Sequence, residues 1–173
     1  MSTQQSVLVT IISGSASDLT IVDAGLEFLK TSRVSYSVRV ASAHRAHNYL
    51  QEVVRGAEAT GTRLFICIAG MSAHLAGVVA AMTDRPVLAV PVARAETAGL
   101  DSLLSMSQMP GGVPVATMGF GKSGFTNACI FAAQVLAGSG NAGVAVALKE
   151  HRRRLADDVI ASDRQHRRDE YCT

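Results

Sequence analysis

The stretch RLFICIAG, residues 63–70, carries six apolar side chains in a row from Leu64 to Ala69 and stops at Gly70. Polar and apolar positions do not alternate, so no face of this segment can be left to water. Such a run is a strand covered on both sides, the signature of a parallel sheet between layers of helix. Working outward, residues 48–60 keep helical spacing and YSVRVA (residues 36–41) is a strand. Before them come a helix over 19–31 and the strand VLVTIIS (residues 7–13). On the other side follow a helix over 73–82 and the strand PVLAVPV (residues 86–92). Strands alternating with helices build a doubly wound α/β domain. The arrangement expected is a flavodoxin-like three-layer sandwich with a central parallel sheet.

After Val92 the rhythm changes. Residues 94–112 form a long connection with a short helix at 100–107, ended by MPGG. VPVATM (residues 113–118) makes a fifth strand and 125–136 another helix. GSGNAG (residues 138–143) is a break, after which Val144, Leu148, Leu155 and Val159 return at helical spacing under a heavily charged back. The chain therefore divides into a body over 1–140 and a C-terminal helical extension over 141–173. The extension is expected to pack on the body or on a neighbouring subunit.

Composition narrows the setting. Of the 173 residues 48% are hydrophobic and only 17% charged, and much of that charge lies beyond residue 148. A body so short of solvating groups is expected to cover surface in a homo-oligomer. In the tail Arg152, Arg153, Arg154, Arg164, Arg167 and Arg168 are interleaved with Asp157, Asp158, Asp163, Asp169 and Glu170. That pattern is a solvated helix face, not a stripe that tracks nucleic acid. Cys67, Cys129 and Cys172 are odd in number and lack metal-ligand spacing, as expected of reduced thiols. The first basic residue is Lys30 and no apolar run reaches membrane-spanning length, so a cytoplasmic protein without a membrane partner is expected.

In open parallel sheets ligands bind beyond the carboxyl ends of the strands. The segments leaving those ends are SGSASD (13–18), ASAHRAH (41–47), AGMSAHLAG (69–77) and PVARAETAG (91–99). Ser15 and Ser17 at a helix start, with its free amides, suit a phosphate. Asp18 would repel that phosphate and suits ribose hydroxyls instead, although Ser17 or Asp18 could simply cap the helix. Arg45 offers a forked cation for the same phosphate, and His44 beside it can both take and return a proton near neutrality. Gly70 and Ser72 let backbone approach a ligand, with His74 next to them. The ordinary reading of both histidines is a surface or core residue satisfied by hydrogen bonds. A metal held by His44, His47 and His74 is a weaker alternative, since no carboxylate stands by to orient them. ATMGFGKS (residues 116–123) resembles a triphosphate-binding loop with Lys122. It follows the last strand, however, and no other strand ends in the aspartate needed for magnesium.

Together, GSASD, SAHRAH, AGMSAHLAG, PVLAVPV, GLDSLLSMSQMPGGVPVATM and GKSGFTNA resemble, in order and spacing, the 5-(carboxyamino)imidazole ribonucleotide mutase family of purine biosynthesis, also called the class I phosphoribosylaminoimidazole carboxylases. The resemblance implies a flavodoxin-like subunit of a homo-octamer that acts on an imidazole ribonucleotide without metal or organic cofactor. It moves a carboxylate from the exocyclic N5 to C4. By carry-over Ser15, Asp18 and Arg45 hold the ribose phosphate and Ser42 assists. Gly70, His74 and Leu75 border the carboxylate pocket, and His44 is the proton shuttle. Arg45 and His74 favour the mutase over the CO2-dependent carboxylase class, which has lysine at the first position and lacks the second Ala-His. Ala46-His47 stand where the family commonly reads Thr-Pro, and Ala76 where proline is usual. These departures leave open a paralogue acting on another imidazole nucleotide.

Overall fold

A computed structural model describes residues 6–168. Its five parallel strands are β1 (Val9–Ser13), β2 (Tyr36–Val40), β3 (Leu64–Gly70), β4 (Val87–Val92) and β5 (Ala116–Thr117), in the order β2-β1-β3-β4-β5. This is the flavodoxin-like order, with β1 between β2 and β3. The six helices are α1 (Asp23–Thr31), α2 (His47–Ala59), α3 (Leu75–Ala80), α4 (Leu100–Ser107), α5 (Gly121–Gly138) and α6 (Ala142–His166).

The pleat explains why β3 is apolar throughout. Successive side chains leave a strand on opposite faces. Leu64, Ile66 and Ile68 enter the core that contains Phe28, Leu29, Phe125 and Ala132 of α1 and α5. Phe65, Cys67 and Ala69 enter the other, built with Leu50, Val53 and Val54 of α2, Val79 of α3 and Met106 of α4. Both thiols sit in these cores. Burial pushes Cys129 up to about 12 and raises Cys67 further, so both stay protonated. Cys172 lies outside the described residues.

Several boundaries differ from expectation for local reasons. The helix expected over 19–31 begins as a 3-10 turn, Ala16–Ile21, whose start is capped by the Ser15 hydroxyl accepting from the Ser17 amide. The six-residue fifth strand contracts to Ala116–Thr117. Pro114 has no N–H to donate, and the Val113 amide turns back to the Pro110 carbonyl at 3.2 Å. The helix expected over 73–82 spans only Leu75–Ala80.

The last helix packs on the body along only part of its length. Asn141 caps it by accepting from the Val144 amide, Val144 and Leu148 are buried, and the His151 ring meets Phe28 edge-on at 4.8 Å. From Arg152 to the last described residue every side chain is exposed. Leu155 and Val159, which continue the apolar stripe, are 52% and 70% exposed. The outer half of α6 thus leaves the body. It carries its own ion pairs, Arg153 to Glu150 at 2.7 Å and to Asp157 at 3.3 Å, which stabilise an exposed helix little.

Candidate active site

A cleft of about 480 Å³ opens over the carboxyl ends of β1, β3 and β4 and the loop after β2. This is where the strand order reverses: from β1 the chain steps one way to β2 and the other way to β3. Ser15, Asp18, Ser42, His44, Arg45, Gly70, His74 and Leu75 all line it. Residues up to 60 positions apart thus meet because their strands lie side by side in register, with Ser13 opposite both Val40 and Ile68.

The turn after β1 is held from within. The Ser13 hydroxyl donates to the Ser15 carbonyl at 2.7 Å, and the hydroxyls of Ser15 and Ser17 lie 2.9 Å apart. Asp18 does not cap the helix. It is 4% exposed, and its Oδ1 accepts from Arg94 Nη2 at 2.6 Å and from the Ser17 hydroxyl at 3.4 Å. In the loop after β2, Ser42 accepts from the Arg45 amide at 3.2 Å and from Arg45 Nε at 3.4 Å. Arg45 Nη2 reaches the Gly14 carbonyl at 3.1 Å. The guanidinium is therefore folded back against the turn that would receive a phosphate.

The two histidines converge. His44 Nε2 lies 2.9 Å from His74 Nδ1, with the rings perpendicular and their centroids 5.0 Å apart. One of those nitrogens must carry the proton and the other accept it, so the contact holds a single transferable proton between the rings. Both side chains are exposed at the cleft rather than packed in the sheet. His74 is brought there by a tight turn after β3: Met71 adopts a left-handed φ of 58°, and the His74 amide donates to the Ser72 carbonyl at 2.8 Å. Gly70 allows close packing at the same point, since a Cβ there would stand 3.0 Å from the Val92 carbonyl. Leu75 is 3% exposed and forms the apolar floor.

The alternatives fare differently. His47 bonds Gln51 one turn along α2 at 3.3 Å and does not line the cleft. Among the described residues no three His, Cys, Asp or Glu side chains gather as a metal would need. None of residues 116–123 lines the cleft either. There the chain closes on itself: the Gly124 amide donates to the Phe120 carbonyl at 3.1 Å, and a side chain at Gly124 would collide with the Gly119 carbonyl. That leaves Lys122 beside a tight helix start instead of an open cradle.

Sequence reasoning missed Arg94. The segment PVARAETAG is singled out as a strand exit, but a lone arginine there gives no sign of its partner, 76 positions earlier.

The chain is similar to several known proteins. The family model described as AIR carboxylase matches residues 8–158. The N5-carboxyaminoimidazole ribonucleotide mutase of Methanocaldococcus jannaschii is 46% identical over 156 residues, covering 90% of this chain and 95% of that protein. The protein of the same description in Bacillus subtilis (strain 168) is 42% identical over 158 residues, covering 91% and 97%. Among solved structures, Treponema denticola PurE superposes with a TM-score of 0.84 at 28% identity, over 93% of this chain and 99% of that one.

Proposed function

Since this chain belongs to the AIR carboxylase family, we propose that the cleft carries out carboxylate transfer on an imidazole ribonucleotide with His44 as the proton shuttle. The protein is an isomerase of purine biosynthesis. It moves the carboxylate of N5-carboxyaminoimidazole ribonucleotide to C4, giving 4-carboxy-5-aminoimidazole ribonucleotide. The roles of individual residues follow from the chemistry that each position allows.

The phosphate enters the turn after β1, where the Ser15 hydroxyl and Arg45 converge, and Ser42 keeps Arg45 in place. Asp18 accepts from the ribose hydroxyls through the oxygen that Arg94 leaves free. His44 then gives its proton to N5 as the N–C bond breaks. The bonding pair stays on nitrogen and CO2 is released beside Gly70, His74 and Leu75. The electron-rich C4 attacks CO2 before it escapes, so holding both partners in one cleft supplies much of the rate. C4 now carries a hydrogen and a carboxylate, and His44, left neutral by the first step, takes that proton and restores the aromatic ring. Protons balance over the cycle, and no step is routed through a metal or an organic cofactor.

The observation that carries this reading is the 2.9 Å contact of His44 with His74 at the rim of a cleft that also holds Ser15, Asp18 and Arg45. Purified protein should convert the N5-carboxylated nucleotide to its C4 isomer without ATP or added metal, and His44→Asn should abolish conversion. Activity on the uncarboxylated nucleotide that saturates with CO2 would instead assign direct carboxylation.

The assembly belongs to the same proposal. A homo-octamer would give the outer half of α6, with Leu155, Val159 and Ile160 exposed, a neighbouring subunit to pack on. A cytoplasmic setting suits the buried, protonated thiols. Among the described residues no helix is long and apolar enough to cross a membrane.

A further inference from the structure

We infer that Arg94 is a second anion anchor of the cleft, one that recognises the substrate's carboxylate while Asp18 holds its guanidinium in place. This rests on the mutase reading above. The substrate carries two acidic groups, a phosphate at one end and a carboxylate at the other, and the cleft carries two guanidinium groups. Arg45 comes from the loop after β2 and is folded against Gly14 and Ser42, at the turn suited to phosphate. Arg94 comes from the opposite side, after β4. It crosses above β3, where its Nε lies 3.5 Å from the position a Cβ on Gly70 would occupy, and ends on Asp18 after β1.

That placement differs from an ordinary surface ion pair. The Asp18 side chain is 5% exposed and cannot swing away, whereas the Arg94 side chain keeps 41% of its surface open. The 2.6 Å bond to Asp18 engages one N–H of Nη2, and Arg94 has five N–H donors in a rigid fork. The remaining donors belong to a group whose position is already set, so a second acid meets a preorganised cation. Its Nε lies beside Gly70, on the side of the cleft where the carboxylate is proposed to leave N5 and be recaptured. The bare backbone at Gly70 lets these segments pack closely, because a Cβ there would stand 3.0 Å from the Val92 carbonyl.

The experiment compares two nucleotides that differ only in the carboxylate: the 4-carboxylated product and uncarboxylated aminoimidazole ribonucleotide, each titrated by calorimetry. Arg94→Met should weaken the carboxylated nucleotide about 10- to 100-fold, as expected for a charge-assisted hydrogen bond, and the uncarboxylated one by less than about threefold. If Arg94 served only to orient Asp18 towards the ribose, both would weaken alike, and that result overturns the proposal, as does no loss for either. Should Arg94→Met unfold the protein by stranding Asp18, Arg94→Lys decides. It keeps the ion pair but not the fork, and a loss confined to the carboxylated nucleotide supports the proposal while an equal loss refutes it. Failure of the unaltered protein to bind either nucleotide would sink the mutase reading itself, an outcome separate from these.

Discussion

Replacing His74 by alanine removes the ring whose Nδ1 lies 2.9 Å from His44 Nε2 and leaves Ser15, Asp18 and Arg45, the proposed phosphate and ribose ligands, untouched. It should also leave the fold intact. His74 stands at the start of α3 without a side-chain capping bond, and its ring is exposed, so neither core nor helix depends on it. If the contact only orients His44, its loss removes one hydrogen bond, worth about 0.5–1.5 kcal/mol net, or roughly two- to twelvefold in rate. If His74 also exchanges the shared proton, the loss approaches the ~10² to 10⁴ associated with general acid–base catalysis. The hypothesis put to the test is the second case, a relay from His74 to His44, on which His74→Ala should lower kcat about 100-fold or more, with KM within about threefold. His74→Asn, whose amide can reach the position of Nδ1, should recover about the two- to twelvefold orientation share and no more. Stopped-flow measurement of product formation under single-turnover conditions, with circular dichroism to check the fold, separates these shares. A His74→Ala enzyme with unchanged kcat and a raised KM would refute the reasoning and reduce His74 to a wall of the cleft.

Other consequences follow from packing and burial. Gly25→Ala places a Cβ 2.5 Å from the buried Phe125 ring and 2.9 Å from Cys129 Sγ. The overpacking should cost about 1–3 kcal/mol and exceed the ~1 kcal/mol gain in helix propensity, and a urea midpoint that does not fall would show that α1 and α5 separate freely. Cys67 and Cys129 should resist a thiol reagent in the native protein and react in denaturant; fast native labelling of two or more of the three thiols would contradict their burial. Because folding raises both thiols above their ordinary value of 9.0, their contribution to stability is complete below that pH. It declines as pH rises towards about 12, where the unfolded thiolates draw the equilibrium, so thermal stability should fall above pH 9.0. Leu155→Glu with Val159→Glu alters only side chains exposed on α6. Light scattering should report a smaller assembly of unchanged helicity, and an unchanged mass would place the subunit contacts elsewhere.

RLFICIAG alone demands a strand covered on both faces, and the same pattern of short apolar runs set the parallel sheet before any distance was known. The gathering of the candidate residues in one cleft was legible for a related reason. In such a sheet the chain leaves each strand at the carboxyl end, so the residues just beyond the runs, Ser15, Asp18, Ser42, His44, Arg45, Gly70, His74 and Leu75, had to lie at one edge of the domain. These are properties of short segments, dictated by side-chain volume, periodicity and hydrogen-bonding capacity within about ten residues.

What the chain order could not disclose were the pairings across it. The contact of His44 with His74 spans 30 positions and that of Asp18 with Arg94 spans 76. Each depends on which strands are neighbours, on the register between them and on the angle of every turn, quantities set by the packing of the whole core. The shortened β5 and the bare outer half of α6 have the same origin. Helical spacing at Leu155 and Val159 promises an apolar stripe, but the positions of α1 and α5 decide how far along α6 the body of the same subunit reaches.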